Sequence, residues 1–153
     1  MENMNPNEEF FSRIDLSKTN YSPYKFSKII ENPDPKVLQR IYRDYCRYHN
    51  FKSVMPIFDC EFFDNEIVGY YADDVLVAWS MIGIYDDENC ECYQFCWDYA
   101  DPNLHIGMKS LRNECAIYKA RGFKYLYLGH PAEYKSQIDG YELTGSIDEL
   151  YKT

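Results

Sequence analysis

The stretch that decides the fold runs from Cys90 to Gly129 and reads CECYQFCWDYADPNLHIGMKSLRNECAIYKARGFKYLYLG. Its pattern predicts a strand over Glu91–Asp98, a polar loop over Tyr99–Gly107, a helix over Met108–Arg121 and a strand over Phe123–Leu128. A strand, a crossover helix and a second strand place two parallel strands side by side. Backbone N–H groups at a helix start have no partner within the helix, so we expect the loop to lead into a site for an anion or an oxyanion.

The chain before this stretch reads as a helix followed by an antiparallel meander. Asp34 suits the N-cap of the helix and Pro35 its first turn. The helix then carries an apolar face at Leu38, Ile41, Tyr42, Tyr45 and Tyr48. Short polar links join the predicted strands Pro56–Phe63, Glu66–Tyr71, Val75–Ile84 and Glu91–Asp98. No clean period is present over Phe10–Ile30, and Ala132–Thr153 is ambiguous.

Length and charge narrow the class of protein. The chain has 153 residues and a formal net charge of −9, and we expect one domain over 1–153 with a loose polar start over 1–9. The charge argues against broad, nonspecific nucleic-acid binding, leaves room for a small basic patch, and suits an amine-bearing substrate. No apolar run of membrane-spanning length and no signal-peptide pattern is present, so the expectation is a cytoplasmic protein with no membrane partner.

The cysteines give no sign of a metal site. The six of them lack a paired C-x-x-C framework, so reduced thiols are expected. Strand alternation predicts Tyr93, Phe95 and Trp97 on one face and Cys92, Gln94 and Cys96 on the other. Cys90, Cys92 and Cys96 then share a face, where they span about 20 Å, too far for one ion. We therefore predict no metal.

The order of these elements resembles the GNAT acyltransferase fold. The resemblance implies an α+β architecture, with a mixed, mostly antiparallel sheet and flanking helices. In that fold the two parallel strands splay apart and leave a cleft beside the helix start. Coenzyme-A-dependent members carry Gln/Arg-x-x-Gly-x-Gly/Ala there, whereas Gly107 is the one glycine of this loop.

A second resemblance covers Trp97–Lys135. The pattern is Tyr99-x-Asp101-Pro102, Gly107, a helix with Glu114, Tyr125-Leu-Tyr-Leu-Gly129 and Tyr134-Lys135. It resembles the C-terminal part of arginyl-tRNA–protein transferases. The resemblance implies transfer of an aminoacyl group from charged tRNA to an amine on a protein N-terminus, a peptide or a small molecule. Aminoacyl-tRNA would be the donor substrate, with no separate cofactor.

Site residues follow from the loop and the strand ends. The candidate catalytic residues are Asp101, His130 and His105, each able to orient or deprotonate an amine. The alternatives are turn chemistry for Asp101 and surface positions for the histidines. The candidate substrate-binding residues are Asp98, Tyr99, Asn103, Gly107, Tyr127, Gly129, Tyr134 and Lys135. Two other functions stay open, namely an acetyl-CoA-dependent N-acetyltransferase with a degenerate loop and a non-catalytic peptide-binding module.

Overall fold

The computed structural model describes residues 10–49, 65–98, 106–129 and 131–146. The strands are β1 (Phe10–Asp15), β2 (Ser27–Ile29), β3 (Glu66–Ala72), β4 (Val75–Ile84), β5 (Asn89–Trp97), β6 (Tyr125–Gly129) and β7 (Tyr141–Ser146). The helices are α1 (Pro35–Tyr48) and α2 (Ile106–Ala120), with short 3-10 helices at Leu16–Lys18 and Glu133–Gln137. The predicted strand Pro56–Phe63 and the predicted loose start over 1–9 lie outside the described residues.

The described strands form one seven-stranded sheet in the order β2-β3-β4-β5-β6-β1-β7. β5 and β6 are parallel neighbours, and the other neighbouring pairs are antiparallel. This confirms the predicted meander and the predicted parallel pair. β1 and β2, however, lie in the segment where the sequence showed no clean hydrophobic period. In the sheet, β1 lies between β6 and β7. The helix α1 is therefore not the first element of the chain.

The two helices pack on opposite faces of this sheet. Successive residues of β4 show the division, because Trp79 and Met81 pack with the buried face of α1, whereas Ala78 and Ile82 pack with α2. The indole of Trp79 also donates a hydrogen bond to the Leu38 carbonyl of α1 at 3.0 Å. Each face of the central strands is therefore covered by one helix.

Local signals explain where the helices begin and end. The Asp34 side chain accepts a hydrogen bond from the Lys36 backbone N–H at 3.0 Å, and Pro35 follows as the first helical residue. α2 is followed by Gly122 with φ +94°, a conformation that favours glycine. Both signals were predicted from the sequence and are confirmed.

One predicted alternation is wrong, and a β-bulge is the reason. The register of β5 with β4 shifts between Met81 and Ile82, which leaves Tyr93 as an extra residue of β5. Cys92 therefore packs in the α2 cluster with Phe95, while Cys96 packs in the α1 cluster. The three cysteines of β5 do not share a face.

No helix within the described ranges is long and apolar enough to cross a membrane.

Candidate functional site

β5 and β6 run together for a short distance and then separate. Their register joins Asn89 to Tyr125, Cys90 to Leu126 and Glu91 to Tyr127. β5 continues to Trp97 and β6 to Gly129, beyond this shared ladder. The predicted separation of the two parallel strands is confirmed, and Glu91 and Tyr127 are the last paired residues before it.

A cleft of about 390 Å³ opens in this gap. Its walls are the second half of β5, the first turns of α2, the end of β6 and the 3-10 helix Glu133–Gln137, and the end of α1 also borders it. Phe95 and Trp97 of β5 and Leu128 of β6 supply apolar surface. The polar groups include Ser110, Glu114 and Lys135. A mostly apolar wall with a few convergent polar groups is typical of a ligand site.

The carboxyl group of Glu114 is fully buried beside this cleft. Its Oε2 accepts hydrogen bonds from the Tyr70 hydroxyl at 2.5 Å and from Ser80 Oγ at 2.9 Å. The Tyr70 oxygen accepts a hydrogen bond from Asn113 Nδ2 at 3.1 Å and lies 3.2 Å from the Ser110 carbonyl oxygen. Glu114 Oε1 has no hydrogen-bond partner among the described residues. The network therefore fixes one carboxyl oxygen and leaves the other unsatisfied.

Burial raises the pKa of Glu114 to about 7, and hydrogen bonds from Tyr70 and Ser80 oppose that rise. Burial also raises the pKa of Tyr70 and of Cys92, and the nearby Glu114 carboxylate adds to both effects. None of the ion pairs within the described residues includes Glu114. The carboxyl group is thus close to its titration point at neutral pH. Such groups in clefts are candidates for function.

Lys135 and Tyr134, which the sequence analysis named as candidate binding residues, lie on the rim of the cleft. Lys135 Nζ donates a hydrogen bond to the Leu128 carbonyl at 2.8 Å, which ties the 3-10 helix to the end of β6. Burial lowers the pKa of Lys135. The Tyr134 ring is half exposed, and Lys135 Nζ lies 5.9 Å from its centroid. These side chains place a cation and an aromatic surface at the entrance.

Gly107 lies in the first turn of α2 and borders the cleft. Apart from its chain neighbours and the backbone of its own helix, no heavy atom of the described residues lies within 4 Å of where a Cβ atom would be at this position. The Gly107 carbonyl accepts a hydrogen bond from Ser110 Oγ at 2.7 Å. First-turn N–H groups of a helix have no intrahelical acceptor. Backbone N–H groups of this kind are suited to bind a ligand oxygen where a cleft borders the helix start.

Two other predicted binding residues lie away from the cleft. The Asp98 carboxylate is 3.5 Å from Arg40 Nη1 of α1, in an ion pair on the other side of the sheet from α2. Tyr127 points away from the α2 cluster that holds Leu126, and its hydroxyl accepts a hydrogen bond from Arg13 at 3.2 Å. The cleft wall contains neither side chain.

The remaining predicted residues are adjacent in sequence to the site. Gly129 ends β6 with φ +72°, and its carbonyl accepts a hydrogen bond from Ser12 Oγ at 3.1 Å. The others lie outside the described residues and stay predictions: Tyr99, Asp101, Asn103, His105 and His130.

Glu114 and His49 are among the cleft residues to which sequence reasoning assigned no role. A signal for Glu114 was present, because Leu111 and Tyr118 mark the buried face of α2 and Glu114 lies between them on that face. A carboxylate on a buried helix face is unusual and points to a site. His49 follows the last residue of α1, and its ring centroid lies 4.6 Å from that of Tyr45. No pattern in the sequence indicated that these rings border the cleft.

Comparisons with known proteins bear on the fold. No family model and no curated protein matches the sequence. Among solved structures, the C-terminal DUF2156 domain of a protein described as a lysylphosphatidylglycerol synthetase, from Agrobacterium fabrum, matches with a TM-score of 0.63 at 11% identity, covering 80% of this chain and 46% of that chain. L-PGS from Bacillus licheniformis matches with a TM-score of 0.57 at 11% identity over the same shares.

A protein described as a GNAT-family acetyltransferase, from Novosphingobium aromaticivorans, also matches. Its TM-score is 0.63 at 13% identity, and the match covers 90% of this chain and 60% of that chain. The chain thus spans about half the length of the first two solved chains and three fifths of this one. Identities this low show the fold, and the chain has a GNAT-like α+β fold, as the order of its elements predicted.

Proposed function

We propose that this chain is an acyltransferase that moves an aminoacyl group from charged tRNA to an amine. The observation that carries the proposal is the open cleft where β5 and β6 separate, next to the start of α2. The resemblance of Trp97–Lys135 to arginyl-tRNA–protein transferases supports the choice of donor. Of the matching structures, the domain from Agrobacterium fabrum belongs to a protein named for making an aminoacylated lipid.

The reaction depends more on positioning the two reactants than on activating the donor, because the ester in aminoacyl-tRNA is already reactive. The acceptor nitrogen attacks the ester carbonyl carbon, a C–N bond forms, and the C–O bond to the ribose breaks. The proton lost by the amine passes to a base, and the leaving ribose oxygen gains a proton. The site must therefore supply a slot for the acyl group, hydrogen-bond donors for the oxyanion and a proton acceptor.

The proposed roles follow the geometry of the cleft. The open helix start at Gly107 receives the ester carbonyl, with Asn103 in the preceding loop assisting. Tyr134 and Lys135 on the rim meet the donor. Asp101, His130 and His105 are the proposed proton acceptors, and Tyr99 with Gly129 completes the binding set. Asp98 and Tyr127 have no proposed contact with the donor, because their side chains lie outside the cleft wall.

A transfer assay with a matched pair of variants tests this function. The protein is incubated with mixed charged tRNAs and with peptides and small amines, and amide products are measured by mass spectrometry. G107A adds a methyl group that meets no neighbouring side chain among the described residues, so it should retain activity within about threefold. G107F fills the acyl slot and should lose about a hundredfold, because misplacement of the reacting carbon slows transfer.

Circular dichroism of G107F controls for folding. Absence of any amide product from the wild-type chain, or equal rates in G107A and G107F, would contradict the proposal.

A second function is favoured by the match to the acetyltransferase from Novosphingobium aromaticivorans, which covers nine tenths of this chain. In this alternative the cleft holds acetyl-CoA in place of the aminoacyl end of tRNA. A ligand that binds the folded state raises the melting temperature by mass action. Stabilisation by acetyl-CoA together with acetylated products would favour the alternative. Binding of peptides with no product from either donor would indicate a non-catalytic module.

A further inference from the structure

Among the described residues, Glu114 Oε1 is the buried side-chain polar atom that has no hydrogen-bond partner. Burying a carboxylate is costly unless its oxygens are hydrogen-bonded or paired with a cation. Here the cost is only partly offset, because the donors from Tyr70 and Ser80 both reach Oε2. The cleft borders this side chain, so a ligand can supply the missing partner.

The groups around Glu114 supply no positive charge against the carboxylate. The titratable neighbours are Tyr70 of β3, Cys90 and Cys92 of β5, and Cys115 and Tyr118 of α2. Burial raises the pKa of each of these thiols and phenols, so they are neutral at pH 7. Lys135 lies on the same cleft and donates to the Leu128 carbonyl, but none of the ion pairs within the described residues joins it to Glu114. The carboxylate therefore lacks a counter-ion within the described residues.

The hydrogen-bond network accommodates both protonation states of Glu114. When the carboxyl group is ionised, the Tyr70 hydroxyl donates to Oε2. When it is protonated, Oε2–H donates to the Tyr70 oxygen, and the Tyr70 proton turns to the Ser110 carbonyl oxygen 3.2 Å away. Neither state loses the hydrogen bond between Glu114 and Tyr70. The group is thus suited to be neutral in an empty cleft and ionised when a cation binds.

We propose that Glu114 Oε1 binds the ammonium group of an aminoacyl donor. The inference rests on the proposed function and narrows the substrate to acyl groups that carry an amine, a feature that an acetyl group lacks. The acceptor amine is a poor candidate for this contact, because pairing with a carboxylate stabilises its protonated, non-nucleophilic form. The donor's amine takes no part in bond making, so a charged partner does not impede it.

A matched pair of small probes tests this contact without tRNA. Alaninamide carries the ammonium group next to a carbonyl, and propionamide lacks it. Carbon-13 NMR of labelled glutamate side chains follows the titration of Glu114 in the wild-type protein with each probe. Alaninamide should lower the pKa of Glu114 and propionamide should leave it unchanged, because a nearby cation favours the ionised form.

Variants give the second readout. E114Q keeps the size of the side chain and removes the charge, so its affinity for alaninamide should fall about tenfold or more. E133Q makes the same change on the exposed 3-10 helix near the cleft and should bind alaninamide as the wild type does. Equal effects of the two probes on Glu114, or unchanged affinity in E114Q, would overturn the inference.

The two proposals can fail separately. If alaninamide lowers the pKa of Glu114 but no charged tRNA yields a product, the amine-binding role of Glu114 is supported and the tRNA-dependent transfer is contradicted. If products form but alaninamide leaves the pKa of Glu114 unchanged, the proposed transferase activity is supported and the proposed role of Glu114 is contradicted.

Discussion

Glu114 is hydrated in the unfolded chain and fully buried in the folded one, so its pKa differs between the two states. The folded value is about 7, against an ordinary value of 4.5. Because the folded state holds the proton more tightly, the contribution of Glu114 to stability is full below pH 4.5 and is lost as the pH rises through 7. This difference in pKa corresponds to about 3 kcal/mol in the free energy of unfolding.

The variant E114Q should remove this pH dependence. The free energy of unfolding of E114Q, relative to the wild type, should rise by about 3 kcal/mol between pH 4.5 and pH 8. Urea denaturation at several pH values measures this difference. The comparison with the wild type is needed because other carboxylates also titrate. Glu66 beside Arg121 has a lowered pKa, so its contribution to stability is lost as the pH falls. E133Q, which makes the same change on an exposed side chain, serves as the control. A difference between E114Q and the wild type that stays constant from pH 4.5 to pH 8 would contradict the account.

Among the elements, those with local signals were predictable and those set by pairing were not. The start of α1 at Pro35 and the turn at Gly122 depend on residues next to each other in sequence. The bulge at Tyr93 depends on how β5 pairs with β4, and no residue of β5 alone reveals it. β1 was missed because its pattern is broken by Arg13, whose charge is accommodated by Glu142 of β7 at 2.6 Å.

The turn into β7 offers a test of the sheet edge. Gly140 has φ +80°, and a Cβ there would lie 2.4 Å from the Asp15 carbonyl oxygen of β1. G140A should therefore cost about 2 kcal/mol or more in the free energy of unfolding, from backbone strain and the clash together. Gly122 also has a positive φ, but a Cβ there would meet no neighbour within 4 Å in the part of the chain that the structure describes, so G122A should cost about 1 kcal/mol. Urea denaturation compares the two, and equal costs would show that β1 does not approach Gly140 as described.

Across the whole molecule, the cleft is built from segments far apart in sequence. The divergence of β5 and β6 beside α2 was predictable, because one contiguous stretch of the chain contains all three elements. The partners of Glu114 were not, since Tyr70 and Ser80 come from the meander, 44 and 34 residues earlier. The formal net charge of −9 is consistent with a ligand that carries an ammonium group.

The most direct test of the central claim is to locate the donor in the cleft by amide chemical-shift mapping. The probe is 3′-deoxy-3′-(alanylamido)adenosine, a stable analogue of the aminoacylated end of tRNA. The account predicts the largest shifts in the first turns of α2 at Gly107–Leu111, in β5 at Phe95–Trp97 and at Leu128, and their loss in G107F. Shifts centred instead on the separate concavity beside Asn32 and Leu38, or no shifts at all, would contradict it.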